Sequence, residues 1–163
     1  MALPNKILPG FSASMYAQPS ATPTPLTVAQ LSLVASTSGI AISGNLMNIE
    51  AIPAFGQDDA VASFMVAGSR QSDKIPTQSA PTSMTITAAW NPSDAGLLLI
   101  RGDAYSGVID RTFVVAAVSG ATTIAYAFNG RVSQFQIDAA PGAEAKCIFS
   151  IHPRGNQYGW SNT

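Results

Sequence analysis

A chain of 163 residues is long enough to bury a core in one domain without disulfide or metal staples. Only 10% of its residues are charged, where an average soluble domain carries about 25%, and small residues and prolines fill the difference. With 8 Lys and Arg against 9 Asp and Glu and no basic run, the sequence excludes a basic nucleic-acid-gripping face, and its sparse charge points to extensive protein–protein contact.

No apolar stretch approaches the roughly 18 residues that a membrane-spanning helix needs. Residues 1–10 hold two prolines and one lysine without a long apolar core, so no secretory signal is expected. Cys147 is the single cysteine, which rules out an intramolecular disulfide.

In chain order, residues 1–39 are expected to form an N-terminal arm. Pro4, Pro9, Pro19, Pro23 and Pro25 interrupt regular structure there, because proline lacks the N–H that ladders and helix interiors use. Residues 1–27 read as extended, with a short strand near residues 12–17. Leu8, Phe11, Met15 and Tyr16 are out of place in a merely solvated tail, so the arm is expected to dock on its own domain or on a neighbour. Residues 26–36 fit a short helix and a strand equally well.

A hairpin is expected next, pairing residues 40–53 with 60–67 across the turn residues Phe55, Gly56, Gln57, Asp58 and Asp59. Residues 69–83 are polar, contain Pro76 and Pro81, and show no periodicity. They read as a long inter-strand loop of the kind that is usually functional. Residues 83–90 then alternate, with Met84, Ile86, Ala88 and Trp90 on one face and Thr85 and Thr87 on the other, as a half-buried strand requires.

Asn91, Pro92 and Asp94 mark a helix start, with Asn91 as the expected cap. The helix is predicted over residues 92–104, weakened by Gly96 and Gly102 by about 1 kcal/mol each relative to Ala. After Ser106 and Gly107 comes a strand over residues 108–118. Asn129-Gly130, the favoured pair for a type I′ turn, predicts a hairpin of residues 122–128 with 131–138. That register gathers Ile124, Tyr126, Phe128, Phe135 and Ile137 on one face. A last strand is expected over residues 145–151, then a tail containing Tyr158 and Trp160. The expected division is an arm at 1–39, a β domain at 40–155 and a tail at 156–163. The fold class is α+β, mainly β, with antiparallel sheets flanked by one short helix.

No reaction centre can be assembled from these residues. His152 is the only histidine, and triads and zinc sites need it with suitably placed partners. Cys147 sits mid-strand and reads as a small apolar packing residue. Phosphate-loop, dinucleotide and nucleophile-elbow patterns are absent, so no catalytic residue, metal or cofactor is expected. Arg101-Gly102-Asp103 spells an adhesion tripeptide, but its charges read as helix-surface groups. Asp58 and Asp59 lack the further oxygen ligands of a calcium loop and read as solvated turn carboxylates.

The run Thr85-Ile86-Thr87, then Asn91 to Leu98, then Phe128-Asn129-Gly130-Arg131-Val132 resembles the C-terminal half of phage tail tube proteins. The likeness extends over most of residues 40–155, and it rests on the order of strands and turns. It implies a tail-tube-like β-sandwich or barrel whose copies form hexameric rings stacked into a hollow tube for DNA delivery. It further implies partners in a tape measure protein and a tail terminator, passing DNA without specific binding, and no membrane. The expected location is the virion, with assembly in the host bacterial cytoplasm. By the same resemblance, the loop residues Asp73, Lys74, Ile75, Pro76, Thr77 and Gln78 would reach an adjacent ring, and Glu50, Asp58 and Asp59 are candidates for the lumen wall. The added immunoglobulin-like domain that some relatives carry is not expected here. The alternatives are the inner tube of a contractile tail or injection machine, and a β-rich binding or adhesin module, for which Tyr158 and Trp160 are the candidate aromatics.

Overall fold

The computed structural model describes residues 12–21, 27, 29–32, 49–65, 67–68, 72–107, 109–119, 122–155 and 159–162. Its strands are β1 (Ser12–Ala21), β2 (Gln57–Met65), β3 (Ser72–Pro81) and β4 (Met84–Ala89), then β5 (Asp110–Ser119), β6 (Thr122–Asp138), β7 (Lys146–Pro153) and β8 (Gly159–Asn162). Helix α1 (Ala95–Ser106) lies between β4 and β5. The main sheet runs β1-β5-β6-β7-β4 with β8 added to β6, and β2 and β3 form a separate two-stranded sheet. Every pairing is antiparallel.

The alternation expected for residues 83–90 is the alternation observed. Met84, Ile86 and Ala88 are fully buried. They join Phe113, Phe128, Val132, Phe149 and Ile151 in one core cluster, closed by Leu97 and Ile100 of α1. On the other face of the sheet, Leu31 packs with Val114, Ala116, Ala125 and Ala127. Strand β5 is therefore covered on both faces from Phe113 to Ala116, which explains the continuous apolar run there. Residues 29–32, for which helix and strand were equally open, are helical. Thr27 and Gln30 cap them reciprocally: the Thr27 amide donates to Gln30 Oε1 at 2.9 Å, and the Gln30 amide to Thr27 Oγ1 at 3.4 Å.

Helix α1 starts later than expected. Asp94 is the N-cap, accepting from the amides of Gly96 (2.8 Å) and Leu97 (3.2 Å). Asn91 is already engaged, its side chain accepting from the Ser93 amide at 2.9 Å in a turn of its own. Gly107 ends the helix at φ 66°, the left-handed conformation in which glycine carries no steric penalty.

The Asn129-Gly130 hairpin does not form. Strand β6 runs unbroken through both residues, pairing with β5 from Thr122 to Arg131 and with β7 from Gly130 to Asp138. Strands β5 and β6 instead pair with each other from Asp110–Arg131 out to Ser119–Thr122. The apolar pattern of the sequence changes parity between Phe128 and Phe135, and a hairpin is one way to achieve that. The structure achieves it with a bulge: the register to β7 slips by one residue between Ser133 and Gln136, where Gln134 adopts φ 57°. Phe135 thereby returns to the core side, stacked on Phe149 with ring centroids 6.1 Å apart and edge-on to Trp90 at 5.8 Å. Asn129 is buried and accepts from Thr112 Oγ1 at 3.1 Å. Gly130 allows close approach: a Cβ there would lie 2.8 Å from Ile151 Cγ2.

The expected pairing of residues 40–53 with 60–67 is also corrected. Residues 40–48 lie outside the described residues, and β2 pairs with β3 instead. The supposed turn at Asp58 and Asp59 is already strand, and the supposed loop at 69–83 contains β3. Prolines at Pro76 and Pro81 hid that strand. Residues 12–21 of the expected arm and 159–162 of the expected tail are strands of the main sheet, β1 on β5 and β8 on β6.

One further residue lies where the sequence did not place it. Asp103 is 3% exposed rather than a helix-surface charge. It holds Arg111 through two bonds, to Nε at 2.5 Å and to Nη2 at 2.8 Å. Nη1 of the same guanidinium donates to the carbonyls of Gln18 and Pro19, each at 2.6 Å. One side chain thus ties β1, β5 and α1 together.

Candidate assembly surface

Strands β2 and β3 form a ribbon that leaves the body at Phe55-Gly56 and returns at Thr82-Ser83. The Phe55 ring meets Tyr126 edge-on at 5.4 Å, which fixes the root, and Gly56 takes φ 144°, a conformation that favours glycine. Beyond the root, every residue of β2 is exposed. Val61 (55%), Phe64 (46%), Met65 (76%) and Ile75 (49%) are the large apolar side chains left to solvent there. A two-stranded ribbon is at best marginally stable in water. Exposed apolar groups on such a ribbon make it the candidate interaction surface.

The hydrogen-bond phase of the ribbon follows from its root. The Thr82 amide donates to the Gly56 carbonyl at 3.0 Å, making Gly56 and Thr82 a bonded rung. The next rung, Gln57 with Pro81, is then the non-bonded kind, in which both residues turn their backbone groups outward. Proline suits that place because it has no proton to give the ladder. With uninterrupted register, Pro76 would fall on a bonded rung and leave it short of a donor. The register slips by one residue between Ala60 and Val61, with Thr77 as the extra residue, and Pro76 moves opposite Val61. Thr77 Oγ1 meanwhile donates to the Ala60 carbonyl at 2.9 Å. The bulge thus puts both prolines on the outer edge of β3.

The residues expected to reach an adjacent ring, Asp73, Lys74, Ile75, Pro76, Thr77 and Gln78, all lie on β3. Of the expected docking residues, Met15 is fully buried in the main core and Tyr16 packs half-buried against the opposite cluster. Leu8 and Phe11 lie outside the described residues. The three candidate lumen carboxylates are not brought together. Glu50 pairs with Lys146 at 2.5 Å, and this hydrogen-bonded carboxylate raises the lysine's pKa. Asp58 and Asp59 are consecutive strand residues, so their side chains leave opposite faces of the ribbon.

Elsewhere, polar groups are occupied by structure. His152 is exposed and lies between Ser83 Oγ (2.9 Å from Nδ1) and Ser133 Oγ (2.7 Å from Nε2). Cys147 is buried opposite Ala88, and burial pushes its thiol pKa up, away from the reactive thiolate. Asp110 accepts from Arg131 Nε at 2.8 Å and pairs also with Arg154. Among the described residues, no group of three His, Cys, Asp or Glu side chains is placed to hold a metal ion, and no helix is long and apolar enough to cross a membrane.

No protein-family model matches the sequence, and no curated protein matches it either. Solved structures do share the fold. A chain of the anti-feeding prophage baseplate, determined by cryo-EM with six-fold symmetrisation, aligns at a TM-score of 0.61 and 10% identity, over 99% of this chain and 97% of its own. The SPP1 tail tube, determined by solid-state NMR and cryo-EM, aligns at a TM-score of 0.55 and 14% identity, over 93% of this chain and 77% of its own. The expected tail-tube-like, mainly β fold is therefore the fold observed.

Proposed function

We propose that this chain is a structural, non-enzymatic subunit of a phage-type tail tube, assembling with copies of itself into stacked hexameric rings. The observation that carries the proposal is the exposed, apolar β2–β3 ribbon on a fold shared with chains of a tail tube and of a six-fold symmetrised baseplate. A monomer gains nothing from such a ribbon, whereas head-to-tail contacts around a ring would cover it. On this proposal the tube conducts DNA without gripping it, consistent with a net charge of −1. A tape measure protein and a tail terminator are its further partners, and the virion is its place after assembly in the host cytoplasm. Residues Asp73 to Gln78 are proposed to contact the next ring.

The inner tube of a contractile injection machine is the second reading. It is favoured by the prophage baseplate chain, matched across nearly its whole length, where the SPP1 chain is longer than this one. Negative-stain microscopy of the concentrated protein tests the common core of both readings. Rings or tubes are expected. A strictly monomeric protein at all concentrations would instead favour a β-rich binding module.

A further inference from the structure

The Asn129-Gly130 pair carries a chemistry besides its turn propensity, and it is the one Asn-Gly in the chain. In a loose chain the glycine nitrogen, shielded by no side chain, loses its proton to base and attacks the asparagine Cγ. A C–N bond forms and ammonia leaves. Water then opens the cyclic imide at either carbonyl, giving aspartate or isoaspartate, in which the backbone runs on through the side chain. One water enters and one ammonia departs, with no oxidant or cofactor.

Strand β6 closes this route. The Arg154 amide donates to the Asn129 carbonyl at 2.8 Å, so Asn129 turns its backbone groups toward β7. Gly130 then faces β5 on the bonded rung opposite Arg111, which commits its N–H to the ladder. Pro153 lies opposite Gly130 on the β7 side, where no donor is needed, in keeping with that phase. The Asn129 side chain is held as well, 1% exposed with its Oδ1 bonded to Thr112. Ring closure needs the Gly130 nitrogen swung onto Cγ, and neither group is free to move while β5, β6 and β7 stay paired.

We propose that Asn129 is a modification site open only when β6 is unpaired: spontaneous deamidation there marks chains that have lingered unfolded, and the mark keeps them from refolding. Aspartate puts a carboxylate, ionised at neutral pH, where a buried amide stood. Isoaspartate adds a backbone atom to the strand on which β5 and β7 are both registered. None of this depends on assembly into a tube.

Peptide mapping by mass spectrometry tests the site in the full-length protein, held in mildly alkaline buffer with and without urea. Deamidation at Asn129 is expected to run about a hundredfold or more slower in the folded protein, because its rate follows the small fraction of time that β6 is open. Less than about tenfold protection overturns the closure. Removing urea from the aged sample tests the consequence. Chains modified at Asn129 are expected to enter the native, protease-resistant pool about tenfold less often than unmodified chains of the same sample. Modified chains found in the native pool in the same proportion as in the whole sample would overturn the marking role.

Discussion

Arg111 shows how much one side chain can decide. Its guanidinium spends Nε and Nη2 on Asp103 and Nη1 on two carbonyls of β1, with both charged partners about 4% exposed. Removing either partner strands a charge in the interior, which costs about 3–5 kcal/mol. That is a large share of the roughly 5–15 kcal/mol that holds a domain folded. Arg111→Ala and Asp103→Asn are each expected to lower the urea midpoint accordingly. The double variant Arg111→Met with Asp103→Leu is expected to recover most of the loss, because neither charge is then left alone. Single variants within about 1 kcal/mol of wild type would refute the stapling role. This buried pair is not what the sequence suggests, where Asp103 reads as a helix-surface charge. A signal was there: Asp103 follows the buried Leu97 and Ile100 at steps of three, the spacing of one helix face, but its charge argued for the surface. Nothing local identified Arg111 as its partner, because that contact depends on how β5 leaves the helix.

Among the elements, β6 is the most instructive. The change of apolar parity after Phe128 was visible in the sequence, but two structures satisfy it: a turn at Asn129-Gly130 or a bulge nearby. Turn propensity favoured the first. Tertiary pairing selected the second, since β5, β7 and β8 all use β6 as their partner. Gly130 then serves the packing of β5, β6 and β7 rather than a turn, with Phe113 and Ile151 filling the space a Cβ would need. Gly130→Ala is expected to cost about 1–3 kcal/mol through overpacking. Were Gly130 a turn residue, the loss would come from backbone strain and Gly130→Asn would rescue it. In the observed strand, Asn is larger and is expected to be worse than Ala in thermal melts. A milder Asn variant would contradict the packing account. Strand β4 and helix α1 were legible because their patterns are internal to one segment. Strand β3 was not, because its two prolines are tolerated only through a bulge and an edge position, neither of which a local pattern contains.

For the whole molecule, sparse charge and the ribbon belong to one design. A chain with 10% charged residues has little electrostatic repulsion to hold copies apart, and its ribbon offers exposed apolar side chains. Contacts made in this way differ from those of a charge-matched assembly in their response to salt. At 1 M ionic strength the screening length falls to about 3 Å, so exposed ion pairs contribute almost nothing. Apolar contacts and backbone hydrogen bonds persist under those conditions, and salting-out anions such as sulfate strengthen burial. Rings or tubes of this protein are therefore expected to survive 1 M sodium chloride and to form at lower protein concentration in ammonium sulfate, as read by light scattering and microscopy. Dissolution by sodium chloride alone would show that charged residues such as Asp58, Asp59 and Lys74 hold the copies together.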